Sequence, residues 1–303
     1  MSRILVTGGA GFIGGHVTKI LLDEGHDVVV LDNLSKGHKD SVDKRAQLIV
    51  GDMADPVKTK EALSGADAVI HMAGLIVVPE SVKDPIKYAQ NNVLGSVSLL
   101  ESMRETGVKK IIFSSSACVY GTPDTLPIKE DAPLRPDNPY GATKASIESF
   151  LQAYHANFGF DVTILRYFNP YGPGELHDPE THAIPNFIKS ALSKKPIPLY
   201  WKGEQVRDFI YIEDLARAHT DVLSLAGFNI FNLGTEKGVK VKDVIDKIFE
   251  IVGFEVEVKD LGERLGDVAA NYASSERLHE AVGWQAKVNL KDGLKQTIEF
   301  FKK

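Results

Sequence analysis

The chain has 303 residues, enough for two domains or one large domain with a lobe, and its 43% hydrophobic and 25% charged residues are ordinary for a folded protein rather than a disordered one. The net charge of −6 is mild and spread along the sequence, which gives no basic stripe of the kind that nucleic-acid binding requires. Cys118 is the single cysteine, so an internal disulfide framework is excluded.

In chain order, the first half alternates short β-branched runs with longer helical patterns. Ile4–Val6, Val28–Leu31, Leu48–Val50, Ala68–Ile70, Lys110–Phe113 and Val162–Leu165 are apolar on both faces, as parallel strands covered by helices must be. Between them, helices are expected over Phe12–Asp23, Pro56–Leu63, Pro85–Glu105 and Tyr140–Phe158, stopped by Gly25, Gly65, Gly107 and Gly159. This alternation specifies an α/β fold, a Rossmann-type doubly wound parallel sheet. After Arg166 prolines crowd the segment from Pro170 to Pro198, the style of a smaller α/β substrate lobe. Regular structure returns at Val206–Ile212 and Asn229–Leu233, followed by helices at Val241–Val252 and Leu290–Phe301. The expected organisation is a dinucleotide domain over 1–166, rejoined by segments near 206–240, and a substrate domain over 167–303. No apolar run approaches the roughly 20 residues that span a bilayer. No basic-then-apolar leader precedes Ile4, so a cytoplasmic protein without a membrane partner is expected.

Between the first strand and helix lies Thr7-Gly8-Gly9-Ala10-Gly11-Phe12-Ile13-Gly14. Gly8, Gly11 and Gly14 suit a sharp turn that lets backbone approach a pyrophosphate and lets the helix pack close to the sheet. Phe12 and Ile13 open the helix, whose end offers free N–H groups and a positive dipole to phosphate. The glycines alone say little. A carboxylate, Asp32, at the end of the second strand and about 20 residues past the glycines gives them meaning, because it accepts hydrogen bonds from a ribose diol and repels a 2′-phosphate. NAD is therefore the expected cofactor rather than NADP. Asn33 extends this strand end. Asp52 and Met53 follow the third strand where an adenine would lie, although Asp52 could equally cap the helix that starts at Pro56.

The fifth strand runs into Ser114-Ser115-Ser116, and the next helix opens with Pro139-Tyr140-Gly141-Ala142-Thr143-Lys144. Ligands of such sheets bind at the carboxyl ends of the strands. Tyr140 and Lys144 are four apart and share a helix face, which any exposed helix pair also does. The strand-end serines, the glycine turn and Asp32 turn this pair into a candidate catalytic set, with Ser116 as hydroxyl partner. Tyr140 would act as general base, its pKa lowered from near 10 by the Lys144 ammonium and a positive nicotinamide ring.

The motifs TGGAGFIG (7–14), Asp32-Asn33, HMAG (71–74), Asn91-Asn92, SSSACVYG (114–121), PYGATK (139–144) and RYFNPYG (166–172) together resemble the NAD-dependent nucleotide-sugar epimerases and dehydratases, a branch of the extended short-chain dehydrogenases. The resemblance covers nearly the whole chain. It implies that Ala73 and Gly74 flank the cofactor, that Asn92 steadies the neighbouring strand end, and that Ser114, Tyr140 and Lys144 contact the cofactor. Tyr167 and Phe168 would back the nicotinamide. Asn169 and Arg207 would grip a substrate diphosphate, with Arg264 on phosphate and Asp267 on ribose, joining Ser116 and Tyr140 on the sugar. Ile76 stands where many members carry a lysine that reaches the cofactor. His177 and His182, five apart in a loop, are too sparse for a metal site, and no metal is expected.

The reaction implied is reversible epimerisation at C4 of UDP-glucose and UDP-galactose through a 4-keto sugar. Dehydratases of this family need acids just after the catalytic hydroxyl, where this chain has Ala117 and Cys118, and uronate decarboxylases carry a glutamate at the Cys118 position. Asn271, four residues after Asp267, takes the place of a bulky tyrosine that shuts out N-acetyl sugars, so UDP-N-acetylglucosamine is an alternative substrate unless the neighbouring Tyr272 holds that position. A keto-sugar reductase and a non-catalytic NAD sensor are weaker alternatives, the first disfavoured by Asp32 and the second by the intact Tyr140 and Lys144. A homodimer is implied, through Leu94, Val97 and Leu100 on one helix and Ile147, Phe150, Leu151 and Tyr154 on another, unless these stripes are core.

Overall fold

The computed structural model describes residues 1–176, 182–262 and 268–303. β1 (Arg3–Thr7) buries Ile4, Leu5 and Val6 completely, which only a strand covered on both faces can do. With β2 (Asp27–Asp32), β3 (Gln47–Val50), β4 (Ala68–His71), β5 (Lys110–Ser116) and β6 (Asp161–Tyr167) it forms a seven-stranded sheet, completed by the strand Phe228–Leu233. From that strand the order is β6, β5, β4, β1, β2, β3, and the pairs β1–β2, β1–β4, β2–β3 and β4–β5 are parallel in register. The order reverses at β1, between β4 and β2, the switch point where doubly wound sheets bind ligands.

The crossovers are α1 (Phe12–Asp23), α2 (Pro56–Leu63), α3 (Val78–Lys83), α4 (Pro85–Tyr88), α5 (Gly95–Thr106) and α6 (Pro139–Phe158). The single helix expected over Pro85–Glu105 is three pieces, α4, a π-helical stretch Ala89–Leu94 and α5. The wider turn brings Asn92 into the interior. α6 starts on an Asn138 cap, carries Pro139 in its first turn and ends at Gly159 with φ 68°. Its Ile147 and Leu151 enter the core with Phe113, Leu99 and Leu100. The candidate interface stripe therefore divides: Leu100, Ile147, Leu151 and Tyr154 are core, Val97 is half-buried, and Leu94 and Phe150 remain exposed, as do Ile86 and Phe158 outside the stripe.

The chain divides into two units, 1–121 with 133–166 and 216–231, and 122–132 with 167–215 and 232–303. The return to the first unit is narrower than 206–240, and the excursion at 122–132 had no sequence signal. In the second unit Val206–Arg207 lies between Val239–Lys240, antiparallel, and Ala270–Asn271, parallel. Asn169–Tyr171 pairs with Phe209–Tyr211. The run Val206–Ile212 is thus two short strands interrupted at Asp208, and Ile212 opens a helix to Asp221 whose first turn holds Glu213 and Asp214.

A buried line of side chains crosses the first unit. Thr7 Oγ1 lies 2.8 Å from His71 Nδ1, and His71 Nε2 lies 2.8 Å from Ser96 Oγ. Ser96 donates its own proton to the Asn92 carbonyl, so it accepts from His71 Nε2–H, and His71 Nδ1 accepts from Thr7. The imidazole is neutral with both nitrogens satisfied. Burial, aided by the Lys144 charge, holds its pKa down at about 3. Between pH about 6.5 and 3 the unfolded chain takes up a proton here that the folded chain does not, so stability falls as pH drops through that window, by up to about 1.4 kcal/mol per unit. Denaturant unfolding of wild type and His71→Gln across this window should show a shallower pH slope for the variant; equal slopes would contradict the assignment.

Candidate active site

The glycine turn is built as the sequence requires. Gly8 has φ 74°, in the left-handed region, and a Cβ on Gly14 would lie 2.2 Å from the Gly8 carbonyl oxygen. Only glycine lets α1 begin this close to β1. Gly11 caps α1 with extended backbone and no side-chain hydrogen bond, which leaves the first N–H groups of the helix, at Phe12 and Ile13, facing outward as donors. Asp32 sits at the end of β2, accepting from Ala10 N at 3.0 Å through one oxygen and from Leu34 N at 2.9 Å through the other. Each oxygen keeps a lone pair for a further donor. Asn33 Nδ2 donates to Asp52 at 2.9 Å, joining the ends of β2 and β3. The cap of α2 is Asp55, not Asp52, because Asp55 accepts from Val57 N and Lys58 N while Asp52 closes its own turn onto Ala54 N. Met53 turns its side chain into the core against Gly95. A close-approach turn, an uncapped helix end and a strand-end carboxylate with spare acceptor capacity fit a dinucleotide.

At the next strand end, Ala73 N donates to Thr7 Oγ1 at 3.2 Å, and the Ala73 backbone lies where a Gly8 Cβ would stand. Asn92 uses its whole amide. It accepts from Leu75 N at 2.8 Å and from Asn91, and donates to Leu75 O at 3.0 Å and to Thr143 Oγ1 at 3.1 Å. It therefore fixes the segment beyond Gly74 and reaches the catalytic helix. Ile76, half-buried, lies within that segment.

β5 delivers Ser114 and Ser116, and α6 delivers Tyr140 and Lys144. Gly141 permits the approach, since a Cβ there would lie 2.4 Å from the Cys118 carbonyl oxygen. Lys144 Nζ donates to Ser114 O at 2.6 Å, lies 4.8 Å from the Phe113 ring centre and 6.0 Å from that of Tyr140. The Ser116 hydroxyl hydrogen-bonds Tyr140 and also accepts from Cys118 N at 3.2 Å. All three expected catalytic residues therefore meet at one strand end.

One expectation is corrected. Burial raises the Tyr140 pKa, outweighing the hydrogen bond from Ser116, and the nearby Lys144 does not reverse this. Its ammonium is engaged with the Ser114 carbonyl and is itself held down, at about 8, by burial. The protein alone keeps the phenol protonated.

Sequence reasoning missed the supports of this site. Ser81, in the short helix α3, accepts from Tyr140 N at 3.1 Å. Thr143 accepts from Asn92 and donates to Tyr140 O at 2.7 Å. Glu148 and Arg166 form a buried pair behind Ser115. Thr143 and Arg166 lay inside quoted motifs but drew no role; α3 is too short to carry a helical period.

In the second unit, Arg207 and Asn271 are register partners on adjacent strands. Asn169 donates its backbone and side-chain N–H groups to Asp208 O, each at 3.0 Å. Asp208 is fully buried and accepts from Thr235, Glu236 and Ala273, which anchors these strands. Tyr167 ends β6, and Phe168 follows it, both buried. Arg264, Asp267 and His177 lie outside the described residues. His182 bonds Glu175. Among the described residues no helix is long and apolar enough to cross a membrane.

Known proteins match this arrangement. The sequence profile of the NAD dependent epimerase/dehydratase family matches residues 4–234. UDP-glucose 4-epimerase of Corynebacterium glutamicum is 41% identical over 299 residues, covering 93% of this chain and 90% of the relative. The structure of UDP-glucose 4-epimerase from Thermotoga maritima with UDP-glucose superposes with a TM-score of 0.96 at 34% identity, over 99% of this chain and 98% of that one. The Thermus thermophilus UDP-glucose 4-epimerase complex with NAD gives 0.93 at 35% identity, over 99% of each chain. The chain belongs to the NAD dependent epimerase/dehydratase family.

Proposed function

We propose that this protein interconverts UDP-glucose and UDP-galactose by inversion at C4. The observation that carries the reading is the meeting of half-buried Ser116 with buried Tyr140 and Lys144, with Ala117 and Cys118, rather than acids, beside Ser116. Without an acid there to expel water, oxidation at C4 can only be reversed. The cofactor is NAD, held by Gly8, Gly11, Phe12, Ile13, Gly14, Asp32 and the ends of β3 and β4. When bound, NAD supplies the acceptor and donor of the C4 hydride.

Tyr140 takes the proton of the sugar 4-hydroxyl and returns it after the 4-keto sugar has turned over. Ser116, already hydrogen-bonded to Tyr140, orients that hydroxyl. Because burial opposes ionisation of the phenol, the base needs added positive charge, which Lys144 together with bound NAD would supply. Asn169 and Arg207 would bind the UDP diphosphate, the planar fork of the guanidinium suiting phosphate, with Arg264 and Asp267 completing the nucleotide site and Tyr167 backing the nicotinamide. Asn271, opposite Arg207, would line the sugar pocket; Tyr272, just past the strand, has its ring beside Gly238. That placement favours a second reading, in which UDP-N-acetylglucosamine is also accepted. The exposed Ile86, Leu94, Phe150 and Phe158 support a homodimer through α4–α6, and the single Cys118 suits a cytoplasmic protein.

Tyr140→Phe should lose about 10²–10⁴-fold in turnover yet retain NAD, measured on cofactor released by denaturation; full activity would remove Tyr140 as base. NMR of products should show UDP-galactose formed from UDP-glucose, and no conversion of either sugar would sink the main reading. Parallel incubation with UDP-N-acetylglucosamine decides the second, which fails if that sugar is recovered unchanged. Light scattering over a dilution series should give twice the chain mass, and a monomer throughout would refute the dimer.

A further inference from the structure

Behind the catalytic face of α6 lies a charged cluster that the mechanism above does not use. Glu148 is one helical turn beyond Lys144 and almost wholly buried. Its carboxylate accepts from Ser115 Oγ at 2.5 Å, and from Arg166 Nε at 3.0 Å and a terminal nitrogen of Arg166 at 2.6 Å. The other terminal nitrogen donates to Tyr120 O–H at 2.8 Å, and the guanidinium stands 4.9 Å from the Tyr120 ring centre. Ser115 lies between the two serines that touch Lys144 and Tyr140. The cluster therefore grips the strand end that carries the site and sets one carboxylate on the lysine-bearing helix.

We propose that Glu148 is a positioning residue for the epimerisation reaction, its buried carboxylate fixed by Arg166 and Ser115 so that Lys144 stays an ammonium ion. The inference rests on the function proposed above. Lys144 is fully enclosed, and enclosure strips the hydration that an ammonium needs. Four groups face it with a titratable atom: Tyr140 and Glu148 from its own helix, Cys118 from the turn after β5, and His71 from β4. His71 is neutral, and Tyr140 is protonated in the protein alone. Glu148 is the standing negative charge among them, and it acts against the burial that drives the Lys144 pKa down to about 8. It makes no direct bond to Lys144, whose nitrogen is taken by the Ser114 carbonyl. Arg166 and Ser115 hold the carboxylate in place one turn from the lysine, and the carboxylate acts on Lys144 in the direction that favours its ammonium form. Tight fixing matters, because a mobile carboxylate could take up the proton or draw the lysine away from the cofactor side.

The test needs a readout that a merely structural role would not move. The holoenzyme is labelled with [ε-13C]lysine, and the Lys144 resonance is assigned by its loss in Lys144→Met. Its titration midpoint should fall by about one pH unit in Glu148→Gln and stay near wild type in Glu148→Asp. The alkaline limb of epimerisation should move to lower pH by the same amount, since the ammonium is then lost earlier. If Glu148→Gln does not fold with Arg166 left unpaired, the double variant Glu148→Gln/Arg166→Gln removes both charges and should show a smaller fall in the same direction. A midpoint unmoved in whichever of these variants folds overturns the proposal, whatever happens to overall activity. The titration requires no turnover, so absence of epimerisation in the wild type would defeat the proposed function separately and leave this result readable.

Discussion

The site depends on one continuous path of buried hydrogen bonds. It begins at Thr7, the last residue before the glycine turn, and passes through His71 and Ser96 to the Asn92 carbonyl. From the Asn92 side chain it continues through Thr143 to the Tyr140 carbonyl. Every donor on this path has one acceptor, so no member can turn without leaving a buried group unsatisfied, at a cost of about 1–3 kcal/mol. The cofactor turn and the catalytic helix are distant in sequence but are held by the same set of bonds. Asn92 reaches the path only because the helix around it widens into a π-turn.

A second constraint is steric. Glycines at 14 and 141 occupy the two places where backbone meets backbone, α1 against the turn after β1 and the first turn of α6 against the turn after β5. Hydrogen bonds set direction and these contacts set distance. Together they place Lys144 and Tyr140 at the carboxyl end of β5 with little freedom, as a site that must present a proton acceptor to one carbon atom requires. The electrostatics are less complete. The protein buries both groups, which works against charge on either, and Glu148 behind the lysine offsets part of that burial.

Much of this was legible in the sequence. The apolar runs of β1, β2, β4, β5 and β6 announced a sheet buried on both faces, and the glycine stops after α1, α2, α5 and α6 fell where the helices end. Ser116, Tyr140 and Lys144 could be paired because their chemistry and their places at element ends agreed. What stayed hidden was whatever depends on long-range contact. Ser81 reads as an ordinary polar residue until its hydroxyl is seen on the Tyr140 amide. Glu148 and Arg166 drew no role, since nothing local says that they face each other inside the protein. The helix from Ile212 was masked by the apolar run before it, although Glu213 and Asp214 marked its start. The phenol pKa was misjudged because spacing reveals proximity and not desolvation.

The route of the chain has a consequence for how the protein is made. The strand Phe228–Leu233 lies at the edge of the first sheet beside β6, and the Val162 amide bonds to Gly227. Residues 216–231 belong to the first unit although 167–215 belong to the second. A ribosome that has released only the first 166 residues has therefore delivered a sheet with one side of β6 open and its hydrogen-bonding groups bare. Such an edge is an invitation to pair with another nascent chain. The dinucleotide unit is closed not by its own domain sequence but by a segment that emerges after much of the other unit, which ties the two together in synthesis and leaves the first without a natural point of excision.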